Sequence, residues 1–192
     1  MNLNHQSYEN QNFKNLNFSN QDFSAKEFLD SQFTKCIFTK TNFTNADFSD
    51  CQFTNCELSQ VSIESTSFKD ISLKDCKLTD IDFSQLNPFC LTIRCSKCLL
   101  DKFSFSKLDL RNTSFQECII RDTFFIDTDL TSSNFSNSDL NRSVFQNSNL
   151  TKANFTKATN YTIDPTTNKL TKVKFSQPEV LSLLNNLDII IE

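Results

Sequence analysis

From Tyr8 onward, every fifth residue of this chain is large and apolar. The series runs Phe13, Phe18, Phe23, Phe28, Phe33, Phe38, Phe43, Phe48, Phe53, Leu58, Ile63, Phe68, Leu73, Leu78, Phe83. It slips by two residues and resumes at Cys90, Cys95, Leu100, Phe105, Leu110, Phe115, Ile120, Phe125, Leu130, Phe135, Leu140, Phe145, Leu150, Phe155. These 30 centres hold 17 of the 21 phenylalanines. A period of five fits neither the 3.6 of a helix nor the 2 of a strand. On an α-helix, successive centres would turn by about 140°, so the rings would point in every direction. One arrangement hides them all: each five-residue unit is one side of a coil with its centre aimed at the axis. Such coils stack at the inter-strand spacing of about 4.8 Å.

The residues flanking each centre support this reading. Two before it the side chain is small, as in Ser31, Cys36, Thr41, Ala46, Cys51, Cys56, Thr113, Cys118 and Ser148. One before it stands Asn or Asp, as in Asn12, Asp22, Asp47, Asp129 and Asn154. The second residue after it, where the chain must turn, is Asn15, Asn20, Asp30, Asn45, Asp50, Asn55, Asp70, Asp75 and Asp80. The chain has no glycine, and Asn and Asp best tolerate φ > 0 in its place. Units of this form resemble the pentapeptide-repeat family over residues 6–160. That resemblance implies an all-β fold, a right-handed quadrilateral parallel β-solenoid with four sides and 20 residues per coil. Cys36, Cys56 and Cys76 lie 20 apart, and Cys98 and Cys118 continue the series once the slip is added, so these five thiols should form one inward column. Asp30, Asp50 and Asp70 should form a second ladder.

The slip falls in Ser84-Gln85-Leu86-Asn87-Pro88-Phe89, and Pro88 lacks the N–H a ladder would use, so a bulge or short loop is expected at 84–89. The second unit of the chain is 161–192. Its first part reads as an extended connector. A helix over about 177–187 follows, with Ser176 and Glu179 as a capping box and Phe175 and Val180 as a hydrophobic staple. Val180, Leu181, Leu183, Leu184 and Leu187, with Ile189 and Ile190 beyond, form an apolar stripe suited to covering the last coil and to a two-fold homodimer.

This tail, Phe175 to Glu192, and the Thr92-Ile93-Arg94 segment resemble the quinolone-resistance (Qnr-like) group within the pentapeptide-repeat family. The resemblance implies a non-enzymatic, DNA-mimicking rod, dimeric through its tail. It also implies binding to a type II topoisomerase (DNA gyrase or topoisomerase IV) and protection from quinolones. Several members of the group carry two loop insertions that contact the enzyme. Here the units run unbroken from 8 to 83 and from 90 to 155, so both larger loops are absent. A scaffold rod with a different protein partner is the alternative.

Folded onto four sides, the charges separate. The side through Phe13 is net +4, the side through Phe18 balanced, the side through Phe23 net −3 and the side through Tyr8 net −4. On this last side Glu27, Asp30, Asp47, Asp50, Asp70, Asp109 and Asp129 are the candidate partner-binding residues. A basic, DNA-binding surface would dock there, and salt would weaken it.

Other chemistries lack raw material. No glycine means no phosphate-cradling loop, and His5 is the only histidine. No base stands beside the repeated Ser and Thr, so no catalytic residues are expected. Six of the eight cysteines occupy the small inward position, which argues for structural thiols over zinc, and Cys95-x-x-Cys98 is set aside on that ground. No cofactor is expected. The overall charge of −4 argues against direct nucleic-acid binding. No apolar run reaches the ~18–20 residues of a membrane span, and with a polar first segment and reduced cysteines the expected location is cytoplasmic.

Overall fold

The computed structural model describes residues 4–86, 91–185 and 189. Over them the chain winds into a parallel β-solenoid of about eight turns. Three-residue strands such as Glu27–Leu29, Gln32–Thr34 and Ile37–Thr39 make the sides. Each pairs in parallel with the strand 20 residues on, Phe28 with Phe48 and Phe33 with Phe53. We call the side through Tyr8 face 1 and those through Phe13, Phe18 and Phe23 faces 2, 3 and 4. The coils are numbered 1 to 9 from Tyr8, Phe28, Phe48, Phe68, Leu91, Leu110, Leu130, Leu150 and Leu170 on face 1.

The core is the column of centres. Every described centre from Tyr8 to Phe155 is buried. Rings of one column stack face to face at the coil spacing: Phe28 on Phe48 at 4.8 Å and 8°, Phe33 on Phe53 at 4.7 Å and 10°, Phe125 on Phe145 at 4.8 Å and 5°. Rings of one coil meet edge to face, as Phe33 and Phe38 do at 5.6 Å and 71°. Parallel stacking sacrifices some quadrupole attraction, and the edge contacts recover it.

The corners turn without glycine. Throughout the regular coils the second residue after the centre is left-handed, with φ of 49° at Asp30, 53° at Lys35, 55° at Asp50 and 61° at Lys152. Lysine, glutamate and arginine stand there as well as Asn and Asp, for example Lys97, Glu117 and Arg142. The cost of a Cβ in this region is offset by inter-coil bonds such as Asp30 N to Ser49 O (3.1 Å) and Lys35 N to Thr54 O (2.9 Å).

The small inward residues are hydrogen-bonding spacers. Thr41 Oγ1 donates to Phe18 O at 3.0 Å and Ser148 Oγ to Phe125 O at 2.8 Å, each reaching back to a centre of the preceding coil. Between coils 3 and 6 the rule is relaxed. Val61, Ile71, Ile81, Ile93, Phe103 and Leu108 fill the small position with apolar bulk, and all are buried. The strands there lengthen, to Ser67–Lys74, Lys77–Asp82, Leu91–Ser96 and Leu99–Ser104. Fewer rings stand at the centres of this stretch, and the extra side chains occupy the space.

The slip appears as a register shift. Leu91 pairs with Phe68 and Ile93 with Ile71, with a bulge between Leu91 and Ile93. The expectations for Pro88 and Cys90 lie outside the described residues.

Pairing continues past the expected connector. Thr162–Ile163 pairs with Val144–Phe145, Lys169 bridges Asn149, Lys174 bridges Asn154, and Phe175 stacks on Phe155 at 5.4 Å. Residues 161–175 therefore complete coil 8 and lay half of coil 9. The spacing of fives fails there because Tyr161 and Ile163 close one side early and Asp164–Thr167 then turn outward as a longer corner. Asn168 takes the small position, its side chain accepting from Ser148 N at 3.0 Å and donating to Phe145 O at 2.9 Å.

The tail helix is shorter and tighter than expected. It is a 3₁₀ helix over Glu179–Leu184, without a side-chain cap. The capping box does not form because Ser176 Oγ is engaged elsewhere, accepting from Lys157 N at 3.0 Å. Phe175 likewise belongs to the ring column rather than to a staple with Val180. Among the described residues no helix is long and apolar enough to cross a membrane.

Candidate partner-binding faces

The expected acidic residues do share face 1, arranged in two outward columns. The column one before each centre reads Ser7, Glu27, Asp47, Ser67 and, beyond the bulge, Asp109, Asp129, Asn149, Lys169. The left-handed corner column reads Asn10, Asp30, Asp50, Asp70 and then Asn112, Ser132, Lys152, Lys172. Glu27 and Asp47 are direct register partners, about one strand spacing apart.

The structure divides this face. Its acidic part is coils 1 to 4. Asp109 is engaged by its neighbour: Arg111 Nε donates to both its carboxylate oxygens, at 2.8 and 2.9 Å. The Arg111 guanidinium holds the Asp109 carboxyl below the usual carboxylate range. Asp129 accepts from Thr131 N at 2.9 Å. At the far end, Lys169 and Lys172 of coil 9 join Lys152, so face 1 runs from acidic to basic along the rod. The sequence reading missed this because it placed both lysines in a connector. Among the described residues none of these three lysines is in an ion pair closer than 4 Å.

Between coils 5 and 6 a groove lies between Leu91–Arg94 and Lys107–Thr113, with Arg94, Lys107 and Arg111 along it. On faces 3 and 4 lies a feature the sequence reading overlooked. Ile119, Phe124 and Val144 stand one before a centre, where Asn or Asp is usual, and are 40%, 46% and 37% exposed. Phe124 and Val144 are register neighbours. The corner beside them is locked by Arg142 on Asp122, Nε to Oδ1 at 2.6 Å, which holds the Asp122 carboxyl below its usual range.

The expected tail residues separate too. Val180, Leu183 and Leu184 are half-buried, and Leu183 packs on the core. Leu181 and Ile189 are exposed. Leu187 and Ile190 lie outside the described residues. Ser182 Oγ donates to Tyr161 O at 3.4 Å, tying the turn to the last coil.

The thiol column forms as its spacing requires. Cys36 N donates to Cys56 Sγ and Cys56 N to Cys76 Sγ, both at 3.4 Å, and Cys98 N to Cys118 Sγ at 3.5 Å. Cys118 N then donates to Ser138 Oγ at 2.9 Å, so a hydroxyl continues the column. The seven described cysteines are free and buried. Burial pushes the Cys51 thiol up to about 11, and thiol–thiol hydrogen bonding with burial pushes Cys76 and Cys118 far up. Among the described residues no three His, Cys, Asp or Glu side chains are grouped to hold a metal.

A right-handed run of coils on a five-residue repeat defines a class, and comparison with known proteins agrees. A family profile described as "Pentapeptide repeat region" matches residues 26–105, and one described as "Pentapeptide repeats (8 copies)" matches 109–147 and 125–159. This chain belongs to the pentapeptide-repeat family. Among solved structures it is similar to two trypsin-treated variants of QnrB1, a plasmid-mediated fluoroquinolone resistance protein. One is 17% identical with a TM-score of 0.63, covering 97% of this chain and 100% of that one. The other is 21% identical with a TM-score of 0.59, covering 97% and 90%. HetL of Nostoc sp. strain PCC 7120, involved in heterocyst differentiation regulation, is 16% identical with a TM-score of 0.51, covering 88% of this chain and 85% of that one. At these identities the likeness is one of fold. A comparison with curated proteins returns no match.

Proposed function

We propose that this protein is a non-enzymatic, DNA-mimicking rod that docks the acidic part of face 1 into the basic DNA-binding surface of a type II topoisomerase, DNA gyrase or topoisomerase IV, and so protects it from quinolones. The observation that carries the reading is the acidic patch of coils 1 to 4, where Glu27 and Asp47 are stacked in register and Asp30, Asp50 and Asp70 line the adjoining corner. Repeated carboxylates at about 4.8 Å on a rigid rod offer a cationic groove what a phosphate backbone offers, at lower charge density. The choice of enzyme comes from the resemblance of Phe175 to Glu192 and Thr92-Ile93-Arg94 to the quinolone-resistance group, and the similarity in fold to a fluoroquinolone resistance protein is in keeping with it. In this reading two copies join through the tail around Leu181, and Leu181→Asp with Leu184→Asp gives a monomer with an intact rod.

The test is gyrase supercoiling with and without a fluoroquinolone. Rescue of supercoiling near stoichiometric rod is expected, and no rescue of either enzyme contradicts the reading. A scaffold for another protein is the second reading, favoured by exposed Phe124 and Val144. A retained gyrase effect in Phe124→Ser/Val144→Ser would leave that patch without a role in it.

A further inference from the structure

The overall charge of −4 argues against contact with nucleic acid only where charge is evenly spread, and along this rod it is not. Residues 143–178 hold five lysines, Lys152, Lys157, Lys169, Lys172 and Lys174, against one acid, Asp164. The fold gathers all five at coils 8 and 9. Lys169 stands one before the centre on face 1, and Lys152 and Lys172 on the corner between faces 1 and 2. Lys174 stands one before the centre on face 2, and Lys157 on the far corner of that face. All five are exposed. We propose that this lysine pole binds the phosphate backbone of duplex nucleic acid without regard to base sequence.

The stacking of charge carries the inference. In the middle of the rod, charges one coil apart are of opposite sign and pair: Lys77 with Glu57 at 3.2 Å, Lys97 with Glu117 at 3.7 Å, Lys102 with Asp80 at 3.8 Å, and Arg142 with Asp122. At coils 8 and 9 Lys172 stands over Lys152 in the corner column, with Lys169 and Lys174 on either side. Among the described residues none of the five is in an ion pair within 4 Å. Like charges held about 4.8 Å apart repel. Ladder bonds fix their backbones there: Lys152 N donates to Thr171 O at 2.8 Å, Lys169 N to Ser148 O at 3.0 Å and Lys174 N to Ala153 O at 2.9 Å. An external anion against this corner relieves the repulsion. Asp129 lies two coils from Lys169 in the same column and accepts from Thr131 N and Oγ1. The acidic patch of coils 1 to 4 ends four coils from coil 8, about 19 Å away, close to two Debye lengths at about 0.1 M salt. It leaves the pole its own field and keeps a duplex from lying along the whole rod.

The surroundings select a duplex among polyanions. Lys169, Lys172 and Lys174 span at most about 18 Å of chain on two faces that meet at a corner. A duplex carries one negative charge per about 1.7 Å of its axis, so several phosphates fall within that span. The outward residues between the lysines, Asn149, Thr151, Asn154, Thr156 and Thr171, are polar, and no exposed ring or large apolar side chain stands among them. A single strand finds nothing to stack on, and a lipid surface nothing to take in. Asn149 and Asn154 could read a base edge, but Asn149 donates to Thr131, and Asn154 donates to Asn134 and accepts from Thr156. The contact is therefore one of charge. It does not rest on the topoisomerase reading, since the rod alone meets the duplex.

The experiment is fluorescence anisotropy of a labelled duplex of arbitrary sequence, titrated with the full chain. Three or four phosphate contacts predict a dissociation constant that rises roughly 40–150-fold between about 50 and 200 mM salt, a log–log slope of about −3. Lys169→Gln with Lys172→Gln should weaken binding at least about tenfold at low salt and make the slope shallower by about 2. Lys14→Gln with Lys35→Gln removes the same charge from coils 1 and 2 of face 2, and should change the dissociation constant less than about threefold. These positions accept glutamine, as Gln32 shows before a centre and Gln60 at a corner with φ of 52°, so circular dichroism should show both variants melting with the wild type. A single strand of equal length and vesicles containing phosphatidylserine should both bind more weakly than the duplex. No binding at about 100 µM rod in low salt overturns the proposal. So does an equal loss in both variants, a slope that the pole variant leaves unchanged, or a preference for the single strand or the vesicles. Coils 1 to 4 are untouched in the pole variant, which keeps any protection of gyrase that the wild type gives, so the two readings fail separately.

Discussion

At the scale of single residues, the rod depends on three kinds of position. The ring column is the first. Phe33 is fully buried and stacked on both Phe13 and Phe53. Phe33→Ala should cost about 3–5 kcal/mol in chemical denaturation, because flat coils cannot collapse into the gap. The thiols are the second. At 2% exposure or less, the seven described cysteines should stay unreactive to a thiol reagent near pH 8 and become reactive only on unfolding, because the reagent cannot reach them. Cys56→Ser should be tolerated better than Cys56→Val, since Ser138 already serves in the column and a branched apolar side chain cannot accept from Cys36 N. The third is Tyr161, 3% exposed, whose hydroxyl has no hydrogen-bond partner among the described residues. Burial pushes its phenol up to about 12. A phenol pKa raised by folding means that the folded state keeps its proton longer, so this contribution is present below pH ~10 and is lost as pH rises through about 12. Tyr161→Phe should raise the melting temperature and remove that alkaline loss of stability.

At the scale of elements, the sequence was legible wherever one residue had one job. The fives located the faces because nearly every buried centre is bulky, and the spacing of Cys36, Cys56 and Cys76 agreed with the coil length that the family resemblance implied, because these thiols share the inward position two before a centre. The reading weakened where a side was not five residues long. Coil 9 went unseen because Tyr161 and Ile163 close one side early and Asp164–Thr167 lengthen the next, so Phe175 falls out of count with Phe155 although it stacks upon it. The tail misled for a related reason. Ser176 and Glu179 have capping-box spacing, but Lys157 N of the coil below competes for the Ser176 hydroxyl. A local motif lost to an inter-coil bond. Face 1 was found in the sequence as an acidic side, yet its polarity was not, because Lys169 and Lys172 belong to the unseen coil. Between coils 3 and 6, Ile81→Ser should cost more than Ser148→Ala. The first opens a void beside the paired Ile81 and Phe103, whereas the second loses a hydroxyl and the bonds it makes.

At the scale of the whole molecule, a closed aromatic core and polar faces leave electrostatics to choose the partner. Exposed charges contribute little to stability, about 0–1 kcal/mol per pair, so reversing those of coils 2 and 3 should leave the fold almost unchanged while altering recognition. Stability is carried inside by Phe and Leu, so the proposed docking by the outer columns of Glu and Asp can be tested without disturbing the fold. The most direct measurement is equilibrium binding of the rod to gyrase at fixed salt, with and without competing duplex DNA, for the wild type and for Glu27→Lys/Asp47→Lys/Asp50→Lys. The account predicts that duplex DNA displaces the wild-type rod and that the charge-reversed rod, equally stable, binds at least about tenfold more weakly. Equal binding by both rods, or wild-type binding that duplex DNA leaves untouched, contradicts it.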